Sequence, residues 1–245
     1  MRDPLQDSEF SRNASRFAAD RPGIYGSEFG PMPTPDTMDA QAADTQTLKT
    51  GTTTVGLSAT DGVVLATDQR ASLGGQIVSN KNVQKVEQVQ YNAAMTIAGS
   101  VGGAQALLQT LRAEINLYEA RRGEYLGIEA LSTLTSNLFR SFPVLVTPIL
   151  GGADETGNYV YSLDPSGARL ADDYTATGSG LPYAYGLLED EYHEDLSVEE
   201  AVPVAAKAIK SGVERDTASG NGVWIAKVTT EDVDIQSYKR FDEII

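Results

Sequence analysis

The sequence predicts an α+β fold, a four-layer αββα sandwich, and three observations carry that expectation. The elements run strands, two helices, strands, two helices, strands. Two sheets packed face to face, each covered on its outer side by a helix pair, bury the apolar faces of both element types in that order. Single helices do not alternate with single strands, as a doubly wound parallel sheet requires. The 194 residues from Thr52 onward suffice for one domain with a sizeable core.

The elements follow from local pattern. Residues 1–51 hold five of the ten prolines (Pro4, Pro22, Pro31, Pro33 and Pro35) and no sustained apolar period, so they cannot bury a core. They are expected to form a removable leader, with the folded domain at 52–245. No apolar stretch follows the N-terminal charges as in a secretory signal. Thr53 to Ala59 and Val63 to Asp68 read as a hairpin around the Asp61-Gly62 turn, and Ala93 to Gly99 as a further strand. From Val101 the period becomes helical through Ala104, Leu107, Leu108, Leu111, Ile115 and Tyr118, ending at Arg121-Arg122-Gly123. A second helix is expected from Gly127 to about Arg140. Strands return at Val144 to Gly151 and Tyr159 to Leu163, joined by a polar turn at Asp154 to Gly157, with another at Ala168 to Ala176. Helices follow at Pro182 to about Glu191 and Val198 to about Glu214, where Ser197 is the expected cap and Pro203 should bend the start or delay it. Strands at Val223 to Thr229 and Val233 to Tyr238 end the order.

The chain carries 34 acidic and 19 basic residues, a net charge of −15. That argues against nucleic-acid binding, which needs basic stripes. It fits a protein of a high-salt cytoplasm, where the Debye length falls to about 3 Å at 1 M and self-repulsion is tolerated. No apolar run approaches the ~18 residues of a membrane helix, so no membrane partner is expected.

Exclusions narrow the chemistry. There is no cysteine, which removes thiolate nucleophiles, cysteine–zinc sites and disulfides. The single histidine, His193, sits in an acidic run from Glu189 to Asp195 and reads as a solvated surface residue, a poor basis for a Ser-His-Asp hydrolase. Neither a phosphate-binding Gly-rich loop ending in Lys-Ser/Thr nor a dinucleotide fingerprint occurs. No cofactor or metal is expected. A hydrolase built from these residues must take lysine or an α-amine as its base.

The stretch Lys49-Thr50-Gly51-Thr52-Thr53-Thr54-Val55-Gly56 offers the second. It ends the leader and opens a strand, so a cut between Gly51 and Thr52 would free an N-terminal threonine. The new α-amine, with an ordinary pKa of about 7.7–8.0, could activate the hydroxyl of its own residue. The same residues also suit an ordinary Thr-rich strand start.

The body resembles the catalytic β subunits of archaeal-type 20S proteasomes, which have the N-terminal nucleophile hydrolase fold. The resemblance spans essentially all of 51–245 through five tags in family order and at family spacing. They are Gly51-Thr52-Thr53-Thr54-Val55-Gly56, Ala66-Thr67-Asp68-Gln69-Arg70, Thr96-Ile97-Ala98-Gly99, Thr177-Gly178-Ser179-Gly180 and Arg215-Asp216-Thr217-Ala218-Ser219-Gly220. It implies a threonine endopeptidase that removes its own propeptide, 1–51. Partners implied are proteasome α subunits, other β subunits in stacked rings, a regulatory AAA ATPase and unfolded protein substrates.

The resemblance also implies roles. Thr52 would be the nucleophile, its freed amine the proton acceptor, and Lys85, held by Asp68, the charge beside its hydroxyl. The match needs one inserted residue between Gly74 and Gln84, which keeps Lys81 open as the alternative lysine. The backbone N–H of Gly99 would face the oxyanion. Ser179, Asp216 and Ser219 would orient the amine. Ala71, Ile97 and Val101 match positions lining the primary specificity pocket, and their apolar character implies cleavage after large hydrophobic residues. Gly51 would help self-processing through its backbone freedom. Gly103 departs from the aspartate that many members carry there. The alternatives are a non-catalytic ring or scaffold subunit of the same fold, which usually lacks the Gly-Thr junction or the lysine, and the bacterial two-ring ATP-dependent protease, whose pattern has essentially no leader.

Overall fold

A computed structural model describes residues 51–142 and 144–245. The expected leader lies outside the described residues, apart from Gly51. Among the described residues the strands are β1 (Thr53–Ala59), β2 (Gly62–Asp68), β3 (Ala71–Leu73), β4 (Ile77–Asn80), β5 (Val86–Gln90), β6 (Ala93–Thr96), β7 (Ile149–Asp154), β8 (Gly157–Leu163), β9 (Arg169–Asp172), β10 (Tyr174–Gly178), β11 (Val223–Val228) and β12 (Val233–Tyr238). The helices are α1 (Val101–Arg122), α2 (Ile128–Ser141), α3 (Leu181–Glu191) and α4 (Val198–Arg215).

Two antiparallel five-stranded sheets form, in the orders β10-β1-β2-β11-β12 and β5-β6-β7-β8-β9, with β3-β4 as a separate hairpin. Strand parity explains why they stack. On β2, Val64 and Ala66 join a cluster with Ala201, Ala205 and Ile209 of α4, whereas Val63 and Leu65 point the other way and meet Ala94, Ile149 and Val160 of the second sheet. Met95, Leu150 and Tyr161 of that sheet face outward onto Leu108, Leu111, Leu131 and Phe139 of α1 and α2. The period-2 alternation thus divides the apolar residues among three interfaces, which is the expected αββα sandwich. The sheets close on glycine: a Cβ at Gly56 would lie 2.8 Å from Ile149 Cγ2, and one at Gly151 2.8 Å from Val63 Cγ1.

Helix boundaries follow their caps. Gly123 ends α1 in the left-handed region at φ 73°, as its missing Cβ allows. Ser197 and Glu200 form a reciprocal capping box at α4. Pro203 neither delays nor replaces that start; it lies inside α4.

Four strand expectations are corrected. The segment from Ala93 stops at Thr96, because the chain turns at Gly99, φ 121°, leaving only a bridge to Val146. The strand expected from Val144 begins at Ile149, just after Pro148, which has no N–H to give a ladder. The single strand expected at Ala168 to Ala176 is two, β9 on one sheet and β10 on the other, with the crossing pinned by the Ser58 N–H on the Asp173 carbonyl at 2.7 Å. Strands β3, β4 and β5 were missing from the sequence expectation; β4 is exposed throughout, so it has no apolar alternation to read.

Candidate active site

Thr52 sits immediately before β1 with 3 % of its surface exposed. Antiparallel pairing brings the ends of two other strands beside it. Gly178, the last residue of β10, pairs with Thr53, and Asp68 ends β2. Face-to-face packing of the sheets then delivers Lys85, which precedes β5 in the second sheet. Lys85 Nζ lies 2.7 Å from Asp68 Oδ1 and 3.2 Å from Thr52 Oγ1. Lys81, the alternative, is exposed.

Asp68 is fully buried and accepts four hydrogen bonds. Lys85 Nζ and the Thr53 N–H (3.1 Å) meet Oδ1, and the N–H groups of Arg70 (3.0 Å) and Gly220 (2.8 Å) meet Oδ2. Burial pushes the Lys85 pKa down against the pull of the Asp68 carboxylate. The lysine beside the Thr52 hydroxyl therefore gives up its proton more readily than a surface lysine does.

The other flank is a hydroxyl network. The Thr52 N–H donates to Ser179 Oγ at 3.1 Å, and the hydroxyls of Ser179 and Ser219 both donate to Asp216 Oδ2 at 2.6 Å. Each serine has one proton. With both protons on Asp216, Ser179 Oγ is left as an acceptor facing the Thr52 nitrogen.

Gly51 precedes Thr52, and its carbonyl oxygen accepts from Thr52 Oγ1 at 2.7 Å. A Cβ at Gly51 would lie 1.7 Å from Ala218 Cβ, so lack of volume accounts for glycine at this position. The N–H of Gly51 donates to Ser72 Oγ at 3.3 Å.

A cleft of about 320 Å³ opens beside Thr52 and is lined by Ala71, Lys85, Ile97, Gly99, Val101 and Leu108 among others. Ala71 and Leu108 form buried floor, while Glu87 and Arg112, paired at 3.0 Å, lie in the more exposed wall. Gly99 immediately precedes Ser100, whose hydroxyl caps α1 by accepting the Gly103 N–H at 3.3 Å. Its backbone thus lies at the positive end of the helix. The cap needs no acid at 103, and a Cβ there would approach Val144 Cβ at 3.3 Å.

The structure thus gathers Thr52, Asp68, Lys85, Ser179, Asp216 and Ser219 in one cluster, with Gly99, Ala71, Ile97 and Val101 along its cleft. His193 is exposed and, among the described residues, pairs with Asp195 at 2.7 Å. Sequence reasoning missed Arg70, whose guanidinium holds the 216–221 loop through the Thr217 carbonyl (2.9 Å) and Asn221 Oδ1 (3.0 Å). It also missed Ser72 and Thr53 as polar contacts. Among the described residues no group of three or more His, Asp or Glu could hold a metal ion, and no helix is long and apolar enough to cross a membrane.

The family model described as Proteasome subunit matches residues 48–228. Proteasome subunit beta 1 of Haloterrigena turkmenica is 56% identical, and a proteasome subunit beta of Halobacterium salinarum 55% identical, each over 100% of both chains. The proteasome subunit beta of Natronomonas pharaonis is 57% identical over 90% of this chain and 92% of its own.

Proposed function

Since the chain belongs to the proteasome subunit family and groups with β subunits of the 20S core, we propose that Thr52 is the nucleophile of its peptidase activity. It is a protease of the proteasome and works in a complex with other subunits. One observation carries the assignment of Thr52. Its hydroxyl oxygen stands 3.2 Å from the buried Lys85 Nζ, which donates to it, and 2.7 Å from the Gly51 carbonyl oxygen, between a basic side chain and an acyl group.

The geometry supports two reactions by one hydroxyl. In the precursor the Thr52 nitrogen is an amide and cannot take a proton, so Lys85, the basic side chain beside the hydroxyl, accepts the hydroxyl proton once it has given up its own, a loss that burial makes easier. Oγ1 then bonds to the Gly51 carbonyl carbon. Collapse breaks the Gly51–Thr52 amide, returns a proton to the nitrogen, and leaves an ester that water hydrolyses. This frees residues 1–51 and the α-amine. In the mature enzyme that amine, facing Ser179 Oγ, serves as base while charged Lys85 favours the developing alkoxide. The Gly99 backbone, in the cleft at the positive end of α1, is the oxyanion donor in this reading.

The apolar floor of the cleft supports cleavage after large hydrophobic residues. We assign unfolded proteins as substrates, α subunits and further β subunits as ring partners, and an AAA ATPase as the feeding machine, in the cytoplasm. The experiment is Thr52→Ala in the full chain, assembled with its partners. Peptide hydrolysis and removal of 1–51 should both be lost. N-terminal sequencing of active wild-type enzyme that found a start other than Thr52 would sink the assignment.

A further inference from the structure

The residue after the nucleophile is bonded to both arms of the site. The N–H of Thr53 donates to Asp68 Oδ1 at 3.1 Å, on the Lys85 side, and Thr53 Oγ1 lies 2.8 Å from Ser219 Oγ, on the Asp216 side. The direction of the second bond follows from proton count. Ser219 has one hydroxyl proton, and the Asp216 carboxylate holds it at 2.6 Å. Thr53 is therefore the donor, and Ser219 is locked by giving to Asp216 while accepting from Thr53.

The Thr53 side chain also has a built niche. It is fully buried, and two glycines from different elements wall it in. A Cβ at Gly180, before α3, would lie 1.9 Å from Thr53 Oγ1, and one at Gly212, in α4, 2.5 Å from it. Strand propensity alone would accept valine at this position; a hydroxyl is needed only if Ser219 must be held.

We propose that Thr53 is a positioning residue for the Thr52 amine, acting through Ser219, Asp216 and Ser179. The chain of contacts runs Thr53 Oγ1, Ser219 Oγ, Asp216 Oδ2, Ser179 Oγ, Thr52 N. Hydrogen bonds in such a chain polarise one another, so each donor strengthens the next. Without the Thr53 donor, Ser219 turns away and Asp216 loses a partner. The carboxylate then draws harder on the Ser179 proton, and the Ser179 oxygen becomes a better acceptor for the Thr52 nitrogen. That favours the ammonium over the free amine, which is the catalytic base. Other charged groups around this nitrogen are Lys85 and Asp68 on the β2 and β5 side, with Arg70 across the 216–221 loop; Thr53→Val leaves the backbone bond to Asp68 in place.

This inference rests on Thr52 as the nucleophile, and Thr52→Ala in the same experiment tests that premise separately. Full-length Thr53→Val, Thr53→Ala and Thr53→Ser chains are assembled with their partners, and kcat, KM and the pH profile of peptide hydrolysis are measured. Thr53→Val and Thr53→Ala should lower kcat about tenfold, the scale of one hydrogen bond near a charge, with little change in KM. Their acid limb should move to higher pH, and Thr53→Ser should restore both. An assembled hydroxyl-free variant with the wild-type kcat and profile overturns the proposal. So does Thr53→Ser as impaired as Thr53→Val. If neither hydroxyl-free variant assembles while Thr53→Ser does, the hydroxyl serves folding and the positioning role is likewise overturned.

Discussion

Replacing Gly51 with alanine should stop the chain from freeing Thr52, and the interatomic distances set the size of the effect. The new Cβ would lie 1.7 Å from Ala218 Cβ, 3.0 Å from Ala218 Cα and 2.9 Å from Ser179 Oγ. Carbon atoms rest about 3.5–4.0 Å apart, so roughly 2 Å of movement is required. Either the scissile carbonyl retreats from Thr52 Oγ1, or the loop bearing Asp216 and Ser219 is displaced. A misplacement of about 1 Å can cost roughly 10²-fold, so processing should slow by at least about that factor, or about 2.7 kcal/mol of barrier. Intact-mass analysis over time, after assembly is started, reads the loss of 1–51. The second arm is Gly51→Ala with Ala218→Gly. That change removes the 1.7 Å contact and leaves only overlaps that small shifts relieve, so processing should partly recover. A Gly51→Ala chain processed at the wild-type rate would refute the steric argument. A double variant as slow as the single one would refute it too, returning the explanation to the backbone freedom of glycine.

Other outcomes follow from the same geometry. Lys85→Ala leaves the buried Asp68 carboxylate unpaired and removes the group beside Thr52 Oγ1, so turnover should fall by about 10²–10³-fold, while exposed Lys81→Ala should change stability by no more than about 0.5 kcal/mol; the reverse pattern in peptide hydrolysis would move the role to Lys81. Burial lowers the Lys85 pKa below its ordinary 10.5, so the folded chain binds fewer protons than the unfolded one between those two values. This group's contribution to stability therefore rises with pH through that window, and self-processing should slow as acid charges the lysine; a time course showing faster processing at lower pH would contradict its role as base. A peptide panel should show cleavage after large hydrophobic residues, and a preference for Arg or Lys would defeat the pocket assignment. With −12 on each mature subunit, the chain's −15 less the −3 of residues 1–51, repulsion between neighbours lengthens from about 3 Å of range at 1 M salt to about 10 Å at 0.1 M, so rings should dissociate on dilution into low salt, which sizing chromatography checks.

Much of the fold was readable because periodicity reports burial. The helix α1 was bounded by the change of period at Val101 and by Arg121-Arg122-Gly123, and the β1–β2 hairpin by Asp61-Gly62, whereas the Ser100 cap was seen only in the structure. What the pattern could not give was topology that depends on partners far away in sequence. Residues 168–176 read as one β run, yet the chain changes sheets at Asp173, and no local signal marks that change. The exposed β4 strand carries no alternation at all. Candidate site residues other than Lys85 were legible as tags, because short Gly-Ser-Asp-Thr clusters stand out; their joining was implied by the family resemblance and not by local pattern, since Thr52, Asp68, Lys85, Ser179 and Asp216 converge only when both sheets are stacked.

The reason for glycine at these tags is also a tertiary matter. Sequence reasoning explains glycine by backbone freedom, and Gly178 at φ 91° fits that account. Volume is an equally strong constraint here. A Cβ at Gly178 would lie 2.0 Å from the Thr52 carbonyl oxygen, and Gly51, Gly180 and Gly212 are as tightly confined by Ala218 and Thr53. Side chains are missing where strands β1 and β10 and helices α3 and α4 press on Thr52 and Thr53. That close approach allows hydroxyls of 2.6–2.8 Å spacing to join into one network. A methyl added at Gly180 or Gly212 should therefore displace the Thr53 hydroxyl before it disturbs the core, separating loss of function from loss of fold.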